Sequence, residues 1–336
     1  MHREPPFSIE QKPYGTALVE LATTVEEVVC LSGDLTRQCE VDGFAEALPD
    51  RFLSMGMAEA NMMGVAGGLA RKGFAPFVHT FGVFATRRAY DQVAMAIAYP
   101  RLPVTIVGFM PGLSSPGGPS HQAIDDLALM RALPNMTVID LADAATIKQT
   151  VPDVLDRDGP VYLRLKRGDI PVVFEEGKRL PAEGAELLRH GTDLAVVAAG
   201  TPLTTAIQAT GLLEEAGVST SLLHAPVVKP LAADLVRDTA ASVDAVLVLE
   251  DHPALGGLAS AVSEALSQVG CPTPLHKVGR TDTFAEPAQD RAFLYRTYGL
   301  TTQDVIDTAW DALERPGEPP ITTPEPASSP DVYAPV

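Results

Sequence analysis

Glu59 stands in a run of small and apolar residues, Ser54-Met-Gly-Met-Ala-Glu59-Ala-Asn61-Met-Met-Gly64-Val-Ala-Gly67-Gly68-Leu-Ala70. The run reads as a short strand or loop entering a helix, with the carboxylate in the first helical turn. Glycines cost a helix about 1 kcal/mol each, so Gly64, Gly67 and Gly68 within two turns imply that another surface packs very close. A carboxylate among apolar neighbours is suited to holding or exchanging a proton near neutral pH. A plainer role is also open to it, since a first-turn glutamate complements the helix dipole. Three further groups could do chemistry. Phe81 and Phe84, in His79-Thr-Phe81-Gly-Val-Phe84, follow a strand at the end where parallel sheets bind ligands. His121 ends a rigid Gly/Pro/Ser loop, Gly112-Leu-Ser-Ser-Pro-Gly117-Gly-Pro-Ser-His121-Gln122. Arg164-Leu-Lys166-Arg167-Gly168 closes another strand with three cations in four positions, a guanidinium being well matched to phosphate.

These groups need a scaffold of alternating strands and helices, and the chain supplies one. Apolar strand-like runs over 28–31, 75–80, 104–108, 136–141 and 161–165 alternate with helical patterns over 16–24, 59–72, 86–98, 123–132 and 144–155. A second alternation places strands over 194–199, 219–223 and 245–249, and helices over 204–216 and 302–314. Such alternation predicts the α/β class, with two parallel-sheet domains. A mixed stretch of charge, Pro and Gly over 170–193 separates the two series and contains the linker.

Composition narrows the function. The 336 residues are 46% hydrophobic and 20% charged, ordinary for a globular chain with room for two domains. A net charge of -18 leaves no basic surface for nucleic acid or an anionic membrane. It also means that an anionic substrate needs locally placed Arg or Lys. Cys30, Cys39 and Cys271 show no paired spacing and fit a reducing compartment. No metal-binding motif is present. Met1-His-Arg-Glu-Pro-Pro lacks the apolar core of a signal peptide, and no apolar run reaches the roughly 18 residues of a membrane span, so a cytoplasmic location is expected.

With these residues in view, the chain resembles the C-terminal half of a transketolase. The Glu59 run and the following Arg88-Ala-Tyr-Asp-Gln92 are also similar to the deoxyxylulose-phosphate synthases. The resemblance covers about 14–313. It implies an N-terminal extension (1–13), a pyrimidine-binding domain (14–180), a linker (181–192), a C-terminal domain (193–314) and a disordered tail (315–336) rich in proline. It implies thiamine diphosphate and Mg²⁺ as cofactors. Glu59 then matches the glutamate that meets the aminopyrimidine ring nitrogen and promotes the tautomer that deprotonates the thiazolium. Phe81 and Phe84 match the aromatic pair on the pyrimidine, and Asp34 an aspartate near the cofactor and the subunit interface. His121 matches a histidine on the donor hydroxyls, with a catalytic role. Arg167 and Lys12 match arginines on the substrate phosphate.

The chain departs from the family pattern at several points. Arg87 stands where a third aromatic is usual. Phe109 replaces a histidine, and Pro116-Gly117 replaces an acidic pair. Losing those polar partners penalises a fully hydroxylated sugar and favours a deoxygenated, branched or aromatic acceptor. The Gly-Asp-Gly of the family's Mg²⁺ site is absent from the sequence. The resemblance therefore implies half an active site, completed by a separate N-terminal, diphosphate-binding subunit in an α2β2 assembly, with the Mg²⁺ site mainly on that partner. The implied reaction is transfer of a two-carbon ketol unit from a ketose phosphate to an aldehyde, in a specialised pathway. Two other readings share these features: the β subunit of a 2-oxoacid dehydrogenase or carboligase, and a noncatalytic regulatory subunit.

Overall fold

The computed structural model describes residues 2–323 except 116, 254, 280, 281 and 289. Its first sheet has seven strands in the order Val227–Lys229, Thr137–Asp140, Val161–Leu165, Thr105–Phe109, Ala75–Phe81, Val28–Ser32, Phe52–Ser54. All neighbours are parallel except the edge strand Val227–Lys229, which runs antiparallel to Thr137–Asp140. The second sheet has the order Leu275–Val278, Ala245–Leu249, Leu194–Ala198, Thr220–His224, Glu186–Arg189, parallel but for the last strand. The central strands Val28–Ser32, Thr105–Phe109, Val161–Leu165, Leu194–Ala198 and Ala245–Leu249 are buried along their whole length. That is why they read as unbroken apolar runs: helices cover both faces of a parallel sheet.

Packing follows the layers. On one face of the first sheet, Pro13–Thr24 and Ala144–Asp153 cover Phe77, Val107, Phe109 and Leu163. On the other, Glu59–Ala70 and its neighbours enclose Val78, Ile106 and Tyr162, and this core runs on into the second sheet through Val197, Leu223 and Val246. Leu203–Glu215 and Thr302–Ala312 close the far face of the second sheet.

Several elements differ from their expected form. The helix expected over 86–98 is two wide i→i+5 segments, Phe84–Arg88 and Val93–Ala98, around a single turn at Tyr90–Gln92. The second of these segments meets Gly67, where Ala96 O lies 2.5 Å from the place a Cβ would take, so the two backbones come into contact. Gly64 and Gly68, by contrast, face open space, so only one of the three glycines has a close neighbour within the chain. The expected linker (181–192) contains the strand Glu186–Arg189, which edges the second sheet; before it, Asp169–Val172 pairs with Ser8–Gln11. Of the tail expected to be disordered, Arg315 ion-pairs with Asp193 at 3.2 Å and Ile321 packs on the second domain's core; 324–336 lie outside the described residues. Among the described residues no helix is long and apolar enough to cross a membrane, and Cys30, Cys39 and Cys271 are free thiols.

Candidate active site

Phe81 ends the strand Ala75–Phe81 and Phe84 follows it, His121 lies on the loop after Thr105–Phe109, and Glu59 comes after the strand Phe52–Ser54. Glu59 opens the helix Glu59–Ala70, and its side chain is only 3% exposed. No side chain caps this helix, so the carboxylate sits where the dipole favours negative charge. Its surroundings are not purely apolar as expected. Arg88 Nη1 lies 2.9 Å from Glu59 Oε2 and compensates the buried charge. The same guanidinium lies 4.5 Å from the Phe84 ring centroid, a cation–π contact.

Phe84 stacks on Phe81 with centroids 6.0 Å apart and planes 16° from parallel. His121 points an edge at both rings, at 5.5 Å from Phe84 and 6.3 Å from Phe81. A pair of this kind is worth roughly 0.5–1.5 kcal/mol beyond burial. Glu59, Phe81, Phe84 and His121 thus form one continuous group, joined by Arg88. Arg88 was not legible in the sequence as a member. Its one signal was a cation among the aromatics just after a strand.

The His121 loop is closed at its neck. Gly112 N donates to Ala123 O at 2.9 Å, and the buried Gln122 amide donates to Ser115 O at 3.1 Å. Ser120 Oγ lies 2.9 Å from His121 Nδ1. Arg87, found in place of an aromatic, pins the loop's far side: its Nε donates to both Asp125 oxygens at 2.9 and 3.0 Å, and Nη1 reaches Pro119 O at 3.3 Å. Gly117 lies against His121, a Cβ there falling 3.0 Å from His121 Cβ; Pro116 lies outside the described residues. Phe109 is fully buried and presents an edge to Tyr14 at 5.5 Å.

The other candidates lie apart from this group. Lys12, at the start of Pro13–Thr24, forms a half-exposed ion pair with Asp42 at 2.9 Å. Lys12 N donates to Gly168 O, and Gly168 N to Glu40 Oε1 at 2.9 Å. Burial pushes the Glu40 carboxyl up while the charges of Lys12 and Arg167 act to lower it, so both cations share one acidic neighbour. Asp34 is exposed, two residues past the strand Val28–Ser32. Arg164 leaves the cluster of cations altogether. It is buried, donating to Asp126 and Asp140 at 2.9 Å each and to Asp251 O at 2.8 Å. Among the described residues no group of three or more His, Cys, Asp or Glu is placed to hold a metal.

Beneath the aromatics lies His79, buried, with Nε2 2.7 Å from Tyr14 OH and Nδ1 3.0 Å from Leu31 O. Burial pushes its pKa from an ordinary 6.5 down to about 4. Between these values the unfolded chain binds a proton that the folded chain refuses, so this residue's contribution to stability falls as pH drops through the window. Urea unfolding between pH 4 and 6.5 should therefore show a shallower acid-side decline in His79→Gln than in the wild type. Equal slopes would mean that His79 carries its charge in the folded state.

The chain matches the model of the transketolase pyrimidine-binding domain over residues 11–172 and that of the transketolase C-terminal domain over 183–305. An uncharacterised transketolase-family protein of Sinorhizobium fredii is 41% identical over 297 residues, spanning 88% of this chain and 86% of its own. The chain belongs to the transketolase family. A 6-deoxy-6-sulfo-D-fructose transketolase subunit of a Clostridium species is 36% identical, over 90% of this chain and 94% of its own. Among solved structures, a split-gene transketolase described as an inactive β4 tetramer superposes with a TM-score of 0.83 at 40% identity, covering 90% of this chain and 97% of that one. The chain spans 86–97% of the length of these three transketolase relatives. The pyrimidine-domain match ends at the last residue of the strand Asp169–Val172, where the chain turns towards the second sheet.

Proposed function

We propose that this chain is the C-terminal subunit of a two-chain transketolase, active with an N-terminal, diphosphate-binding chain in an α2β2 assembly. The reaction is transfer of a two-carbon ketol unit from an anionic ketose to an aldehyde. The observation that carries this reading is the continuous series Glu59, Arg88, Phe84, Phe81 and His121 at the C-terminal ends of the sheet.

The residues suit thiamine diphosphate. The near-parallel Phe81–Phe84 stack offers an apolar face for the aminopyrimidine, and the Glu59 carboxylate can hold a proton at the pyrimidine ring nitrogen. When bound, the cofactor supplies the carbon nucleophile and electron sink that ketol transfer requires. This chain's own work is to bind, orient and move protons. His121, edge-on to the stack, hydrogen-bonds donor hydroxyls. Arg167 and Lys12 meet the substrate's anionic end, and Asp34 serves the cofactor and subunit boundary. The Clostridium relative, named for a sulfonated sugar, supports a tetrahedral anion at that end. With no Gly-Asp-Gly in the sequence, Mg²⁺ would be held mainly by the partner. Exposed Met57, Met95 and Tyr99, together with the uncovered Gly64 and Gly68, mark a face free for subunit contact. Three free thiols fit a cytoplasmic setting.

Near-UV circular dichroism with thiamine diphosphate and Mg²⁺ tests the reading. Cofactor binding is expected when both chains are mixed and not with this chain alone; a mixture that leaves the cofactor free would overturn it. In the active complex, His121→Ala should raise KM for the ketose about tenfold through lost hydroxyl bonds, with cofactor affinity unchanged. An unchanged KM would remove His121 from the substrate site.

A further inference from the structure

The loop that carries His121 is fastened to the second domain, 138 residues away in sequence, through the carboxylate of Asp251. Asp251 follows the strand Ala245–Leu249 by two residues and is buried. Leu113 N, in the tight turn Gly112–Ser114, donates to its Oδ1 and Oδ2 at 3.0 and 2.9 Å. Tyr295 OH, from the helix Arg291–Thr297, donates to Oδ2 at 3.2 Å. The backbone carbonyl of Asp251 accepts from Arg164 of the first-sheet strand Val161–Leu165 at 2.8 Å.

The fit around this contact is close. Gly112 has φ +54, and a Cβ there would fall 2.3 Å from Asp251 Cγ, so only glycine brings the turn onto the carboxylate. The Leu113 side chain is buried in the second domain's core, not the first's. Further along, Gly118 rests against Pro287 of the same domain, and Gly118 O accepts from His121 N at 2.9 Å. The second domain therefore grips the loop at its start and near its end, while Arg87 holds it at Pro119 and Asp125.

We propose that Asp251 is a positioning residue, through which the C-terminal domain sets the place of His121 over the Phe81–Phe84 stack. This rests on the reading of His121 as a substrate group and gives the C-terminal domain a part in donor recognition. It touches no substrate; it acts by holding Leu113 N, and with it the turn from which the loop departs. Asp251→Asn keeps size but turns one acceptor towards donation, opposing the Leu113 N–H.

Hydrogen exchange of the wild-type and Asp251→Asn chains, followed by mass spectrometry, tests the grip without any activity. Peptides covering 112–123 should exchange about tenfold faster in the variant, with Thr105–Phe109 and Ala245–Leu249 unchanged. Tyr295→Phe, which removes one hydrogen bond and no charge, should give a smaller acceleration of the same peptides and stands in if Asp251→Asn does not fold. In the complex, either folded variant should raise KM for the ketose with kcat and thiamine diphosphate affinity nearly unchanged. Unchanged loop exchange in the folded variants overturns the proposal, as does faster exchange with an unaltered KM. Faster loop exchange in a complex whose wild type transfers no ketol group would leave the grip standing and sink the transketolase reading instead.

Discussion

Glu59→Gln should abolish ketol transfer while leaving the chain folded. The carboxylate is buried at the start of its helix, and the amide has the same shape. The partner that loses its counter-charge, Arg88, is half exposed and can turn to water. The stability change is therefore small, with a melting temperature close to wild type. The catalytic change is large, because glutamine cannot take or give the proton at the pyrimidine ring. Loss of a group in general acid–base catalysis lowers rates by roughly 10²–10⁴-fold. Steady-state kinetics of the two-chain complex, beside a melting curve of the variant, measure both. A variant retaining near wild-type kcat would show that Glu59 serves only the helix dipole and its Arg88 partner.

Arg164→Met should have the largest effect on stability. Arg164 is 1% exposed, and its two carboxylate partners are 0% and 2% exposed. Asp126 also accepts from Tyr162 OH at 2.8 Å, and a Cβ at Gly200 would fall 2.4 Å from Asp140 Cγ, so neither acid can swing out to water. Burial already pushes the Asp140 carboxyl up to about 6, with Arg164 next to it acting to lower it. Removing the guanidinium leaves two buried acids without a counter-charge, and such breaks cost about 3–5 kcal/mol. For a chain of this size the melting temperature should fall by about 4–7 °C. A fall within a degree or two, by differential scanning calorimetry, would mean that the acids are neutral in the fold and that Arg164 holds nothing.

What the sequence made legible follows from where each signal lies. Strands such as 28–31 and 245–249 were readable because burial on both faces leaves an apolar run with no polar interruption. The loop ending at His121 was readable because glycine and proline mark its backbone in place. Contacts between distant segments left no such trace. Arg88 meets Glu59 from 29 residues away, and nothing local distinguishes it from Arg87, which turns to Asp125 instead. Arg164 looked like one of three cations at a strand end, yet it is drawn inward by acids from two other elements. The edge strand Val227–Lys229 crosses back to the first sheet from within the second domain, a step that only pairing with Thr137–Asp140 reveals. The grip of Asp251 on the His121 loop is of the same kind, since neither segment carries a sign of the other.

The most direct test of the two-chain transketolase is release of glyceraldehyde phosphate from a ketose phosphate, with an aldehyde acceptor, thiamine diphosphate and Mg²⁺ present. Release is expected when this chain and an N-terminal, diphosphate-binding chain are mixed, and none from either alone. Release by one chain alone would contradict it. So would a mixture that binds the cofactor but instead liberates carbon dioxide from a 2-oxoacid.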